Sequence, residues 1–172
     1  MKRYEAIMDK LNKAAELIGE TEEMTANDYS DVEEKVVGEL VDGIKEKAGG
    51  IFSLLPDEVK FESVKEINGL RITINRLMRN MTDVTIAPVA YRHKGMSVRL
   101  SGKDGATLMY NRLTAENLLN VTKNWGDIKR FIDEAVVDYC EVIDTFLGKN
   151  IEKIIKIRKK ADIIRELKKF VA

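Results

Sequence analysis

The chain has 172 residues, 44% of them apolar and 34% charged, with 29 Lys/Arg against 29 Asp/Glu. This composition excludes a disordered chain and suits one domain with a real core. Apolar runs are too short for a membrane-crossing helix, and the charged start MKRYEAIMDKLNKAAELIGE is not expected to act as a signal peptide.

The zero net charge hides segregation. Residues 1–67 hold 9 Lys/Arg and 17 Asp/Glu, a net of −8. Residues 68–130 hold 11 and 4, a net of +7, and residues 131–172 hold 9 and 8, a net of +1. Such asymmetry points to a charged partner, to head-to-tail self-contact, or to halves that pack on each other.

Tyr4, Ile7, Met8, Leu11, Ala15 and Ile18 recur at helical spacing and predict a first helix, with Gly19 placed to close it. The polar ETEEMTANDYSD reads as a linker. Ser30 and Glu33 have capping-box spacing and predict a second helix from near Asp31. Val32, Val36, Val37, Leu40, Val41, Ile44 and Ala48 form its apolar face, and Gly-Gly at 49–50 ends it. IFSLLP then reads as a buried connector, so the N-terminal helical part spans residues 1–55.

Residues 56–113 are β in character. Asn68-Gly69 between two extended runs predicts a two-residue hairpin, with Glu66 opposite Arg71 and Lys65 opposite Ile72. A short helix over 57–66, after Pro56, is the competing reading. VTIAPVAYR, MSVRLS and ATLMYN alternate and are joined by HKG and GKDG, which predicts a three-stranded meander. Pro88 has no backbone donor, so its strand should be an edge or hold a bulge.

Residues 114–172 are helical. Thr114 caps a short helix, and Asp127 starts a longer one with Ile128, Phe131, Ile132, Ala135, Tyr139, Val142 and Phe146 on its inner face. Gly148 is placed to close it before a last helix, NIEKIIKIRKKADIIRELKKFV. The break predicts an antiparallel helical hairpin, with Trp125 as a packing anchor where the short and long helices meet. The fold class is therefore α+β in a single domain, 1–172: N-terminal helices, an antiparallel sheet of about five strands, and a C-terminal helical hairpin.

Familiar catalytic patterns are missing. The chain has neither a P-loop nor a Gly-x-Ser-x-Gly elbow. One histidine and one cysteine exclude nearly every zinc pattern. His93 falls in a predicted turn. Cys140 reads as a small buried hydrophobe in a reducing setting, which suggests the cytoplasm, or a host cytoplasm if the chain is viral. Glu134, Asp138 and Glu141 share a helical face that a divalent cation would need, yet that face lies opposite the apolar one and reads as solvated. No cofactor, metal or small-molecule substrate is expected.

Two surfaces remain. Residues 90–112 hold five Lys/Arg, His93 and one acid. Alternation places Met96, Val98 and Leu100 on the core face with Val84, Ile86 and Ala90. The other face then shows Tyr91, Ser97, Arg99, Ser101, Leu108, Tyr110 and Arg112, with Tyr91 and Tyr110 flanking Ser97. Tyrosines beside cations stack bases and hold phosphates, so Tyr91, Arg92, Lys94, Arg99, Tyr110 and Arg112 are the candidate nucleic-acid site. The rival is the last helix. Its apolar band includes Ile154, Ile157, Ile164, Leu167 and Phe170, with lysines filling the rest. Such a helix docks in a partner's groove, pairs with its own copy or lies on an anionic membrane. Packing on its own domain accounts for most of the band. The leading expectation is a non-catalytic, oligomeric interaction or assembly protein, an accessory or structural subunit of a larger complex, viral ones included. The second is a nucleic-acid-binding protein using the Tyr/Arg sheet face.

Overall fold

A computed structural model describes residues 2–48, 59–78, 81–101 and 105–171. The elements are α1 (Lys2–Ala48), β1 (Glu62–Ile67), β2 (Leu70–Met78), β3 (Met81–Pro88), a 3-10 turn (Arg92–Lys94), β4 (Met96–Ser101), β5 (Gly105–Asn111), α2 (Ala115–Lys123) and α3 (Trp125–Val171). The five strands form one antiparallel sheet in the order β1-β2-β3-β4-β5, and the α+β class holds.

The sheet follows from its two-residue period. Leu70, Ile72, Ile74, Val84, Ile86, Met96, Val98 and Leu100 all point inward and are buried. The β1–β2 turn is the expected one. Asn68 and Gly69 both have positive φ, 47° and 81°, as a type I′ turn requires. Glu66 pairs with Arg71 and Lys65 with Ile72, so 62–66 is strand rather than helix. Gly69→Ala forces a β-carbon into the left-handed region. It is expected to lower stability by roughly 1 kcal/mol, read as a lower urea midpoint at unchanged slope.

The helices cover the inner face. Val37, Leu40, Ile44 and Ala48 from α1, Leu118 and Val121 from α2, and Ile128, Phe131, Ile132, Ala135 and Tyr139 from α3 join the strand residues in one core. Thr114 caps α2 as expected, its hydroxyl accepting from the Asn117 N–H at 3.3 Å. Trp125, expected to anchor the junction of α2 and α3, packs against α1: a β-carbon at Gly43 would lie 2.7 Å from its ring, so glycine lets α1 approach there.

Several expectations need correction. The N-terminal part is one 47-residue helix rather than two. ETEEMTANDYSD is no linker, because no Gly or Pro lies between Gly19 and Gly38 and its Glu, Met and Ala residues favour helix. Ser30 therefore caps nothing; the helix already passes through it. The C-terminal hairpin is likewise absent. α3 runs 47 residues through Gly148, since one glycine costs only about 1 kcal/mol and good helix formers flank it. Pro88 lies on a central strand, at the end of β3 where the ladder to β4 has already stopped at Ile86–Met96. Ala90 is exposed beyond β3, not in the core. Cys140 is exposed, one position past buried Tyr139. The connector IFSLLP and most of the GKDG turn lie outside the described residues.

The two long helices run in the same direction. Gly43 meets Trp125, and further along both helices Lys47 bonds Asp133 at 3.1 Å. α1 enters past the end of β5, where Asn111 donates to Glu33 at 2.8 Å. α3 passes Lys65 at Glu134 (2.7 Å) and Phe61 at Tyr139, so it leaves past the start of β1. Each helix is about 70 Å long at 1.5 Å per residue, whereas strands of six to nine residues span only about 20–30 Å. Much of α1 and α3 therefore lies beyond the sheet, at opposite ends.

Candidate interaction surfaces

The first candidate surface lies at the end of the sheet where β3 turns into β4. Tyr91 precedes the 3-10 turn, and the Lys94 ammonium sits 5.0 Å from its ring centre, with His93 edge-on to it at 6.3 Å. Arg112 donates its backbone N–H to Gly95 at 2.9 Å, which brings the end of β5 alongside, and its guanidinium lies 5.3 Å from the Tyr110 ring centre. Five of the six residues expected for nucleic acid thus fall on one corner: Tyr91, Arg92, Lys94, Tyr110 and Arg112. All are exposed. His93 joins them; its turn position concealed its neighbour.

Arg99 does not join them. It sits one row further down the sheet in a two-point pair with Asp83, Nε to Oδ1 at 2.8 Å and Nη2 to Oδ2 at 2.9 Å. The hydrogen bond and charge of Asp83 raise its pKa further. Two of its donors are committed within the sheet, and its charge is paired there. Two more positions differ from the alternation. Tyr91 is outside the strands, so Ser97 is flanked by Thr85 and Tyr110 rather than by two tyrosines. Between Ser97–Tyr110 and Val98–Leu108 the register shifts, leaving Met109 as the extra residue of a bulge. The bulge turns Leu108 to the inner side, where it lines an open cleft with Ser30, Glu33, Val37 and Val41 of α1. Beside this cleft burial, and then the Glu33 charge, raise the Tyr29 pKa above its ordinary value of 10.0.

The second candidate surface is the part of each long helix that extends beyond the sheet. On α3, Ile157 is 60% exposed, Ile164 44%, Leu167 60% and Phe170 93%. The Ile154 side chain lies outside the described residues. The last helix therefore does not pack on its own domain, contrary to the reading that gave it that role, because the sheet ends before it. The matching feature of α1 was missed. Ile7 is 50% exposed and Leu11 57%, and Leu17 and Ile18 are exposed as well. The stripe was visible in the sequence, but periodicity alone does not say whether a core lies opposite it.

The carboxylate stripe of α3 is split. Glu134 pairs with Lys65, while Asp138 and Glu141 border a separate open cleft with Val59, Lys60 and Phe146. Among the described residues no three His, Cys, Asp or Glu side chains are grouped to hold a metal ion, and no helix is long and apolar enough to cross a membrane. Comparison with protein-family models, curated proteins and solved structures found no match.

Proposed function

We propose that this chain is a non-catalytic assembly protein that holds copies of itself, or a protein partner, through its two projecting helices. One observation supports the reading above the others: both 47-residue helices extend well beyond the core they serve and keep apolar stripes exposed there. Isolated helices in water gain little from propensity alone and draw their stability from packing an apolar face. A partner for those faces supplies that packing. The compartment that fits is the cytoplasm, the host's if the chain is viral.

The test is the mass of the purified full chain by size exclusion with light scattering. Assembly through the helices gives a species heavier than the 19.5 kDa chain. A monomer at every concentration, with no co-purifying protein, overturns the reading.

The corner around Tyr91 and Tyr110 favours a second reading, nucleic-acid binding. Two ring–cation pairs within one exposed patch offer both stacking faces and phosphate partners. Lys94→Ala with Arg112→Ala is then expected to weaken binding of a single-stranded oligonucleotide and to reduce its salt dependence. Equal affinity in the variant, measured by fluorescence anisotropy across a salt series, removes the corner from consideration. Arg99→Ala is expected to leave affinity unchanged, since Asp83 already occupies that guanidinium.

A further inference from the structure

We infer that the chain assembles head to tail, the N-terminal arm of one copy lying parallel to the C-terminal arm of the next. This deepens the assembly reading and rests on it. The two arms are residues 2–28 of α1 and residues 151–171 of α3. They are about 40 and 30 Å long, and they project from opposite ends of the domain in helices that run in the same direction. Stacking one copy beyond another along that direction lays the α3 arm of the first beside the α1 arm of the second, both chains pointing the same way.

Charge selects this pairing over like-with-like. Residues 2–28 hold four Lys/Arg and seven Asp/Glu, a net of −3; residues 151–171 hold eight and three, a net of +5. Two α1 arms repel, two α3 arms repel, and one of each attracts. The acids Glu16, Glu20, Glu22 and Glu23 gather in the later half of the α1 arm, whereas five of the eight cations of the α3 arm lie in its earlier half, so charge selects the mixed pair and the common direction of the helices, not charge, makes it parallel. The apolar spacing agrees. Ile7, Leu11, Ala14 and Ile18 are spaced 4-3-4, all exposed, and Ile157, Ala161, Ile164, Lys168 and Val171 are spaced 4-3-4-3. Both follow heptad spacing, with a lysine at one position of the second arm. Such an arm-to-arm contact is heterologous, so it leaves one free arm at each end and propagates to a ring or a filament.

Two full-length variants test it: Ile7→Asp with Leu11→Asp, and Ile157→Asp with Ile164→Asp. The wild-type chain is expected to exceed twice 19.5 kDa and to grow with concentration. Each variant alone has lost one side of every contact and is expected to run as a monomer. Mixed, they still hold one intact arm of each kind and are expected to form a species of twice the chain mass and no larger. A wild-type monomer with no co-purifying protein overturns the assembly reading itself, and a monomer held by another protein overturns the self-pairing. A wild-type oligomer with either variant still assembling overturns only the arm-to-arm pairing, as does a mixture of folded variants that stays monomeric. Circular dichroism identifies a variant that fails to fold, and serine at the same positions then replaces aspartate.

Discussion

Changing Ile157 and Ile164 together to aspartate is expected to lower self-association at least tenfold while leaving the folded core intact. Burying one large aliphatic side chain is worth about 1.5–3 kcal/mol, and each contact would lose two. Only the exposed part of each side chain is left to bury, so together they lose about one such contribution; every 1.4 kcal/mol is a factor of ten in affinity, and tenfold is the lower bound before the cost of placing two carboxylates in an apolar seam. The core is spared because both side chains point to solvent within the monomer, at 60% and 44% exposure. The chain's single tryptophan reports on that directly. Trp125 packs against Gly43, so its emission tracks the α1–α3 contact and is expected to match wild type. Sedimentation across a concentration series measures the first effect and tryptophan emission the second. Unchanged association would exclude this face of α3 from the assembly.

The sheet was the most legible part of the fold. Its signals are local and mutually consistent: a two-residue period, an Asn-Gly turn, and opposite charges falling into register at Glu66 and Arg71. Helix ends were the least legible. Gly19, Gly148 and the Ser30–Glu33 spacing are each compatible with a break, but each carries only about 1 kcal/mol. Continuing the ladder through good helix formers outweighs that. The corner site was legible in composition, and five of its six residues do come together. What the sequence concealed was partnership. Asp83 lies sixteen positions from Arg99 and faces it only once β3 and β4 are paired, and the single extra residue at Met109 moves Leu108 from one face to the other. The projecting arms needed a length comparison that periodicity does not supply: 47 residues of helix against strands of six to nine.

Tyr139→Ala is expected to destabilise the protein by about 3–5 kcal/mol, the range for deleting a buried aromatic side chain. That is a large share of the roughly 5–15 kcal/mol of an ordinary domain. Tyr139 is fully buried, and its ring meets Phe61 edge-on at a centroid distance of 5.2 Å, which ties α3 to the stretch leading into β1. Beyond Tyr139 no described side chain of α3 is fully buried; Val142, Ile143 and Phe146 still pack on the core at partial burial, and the arm begins after them. Val137→Ala supplies the comparison on the same turn: it is 59% exposed, and its cost is expected to stay within about 0.5 kcal/mol. Urea denaturation followed by tryptophan emission measures both. Equal, small losses at the two positions would mean that α3 is not held on β1 through Tyr139. The direction in which its arm leaves the domain, and the head-to-tail geometry built on that direction, would then fall together.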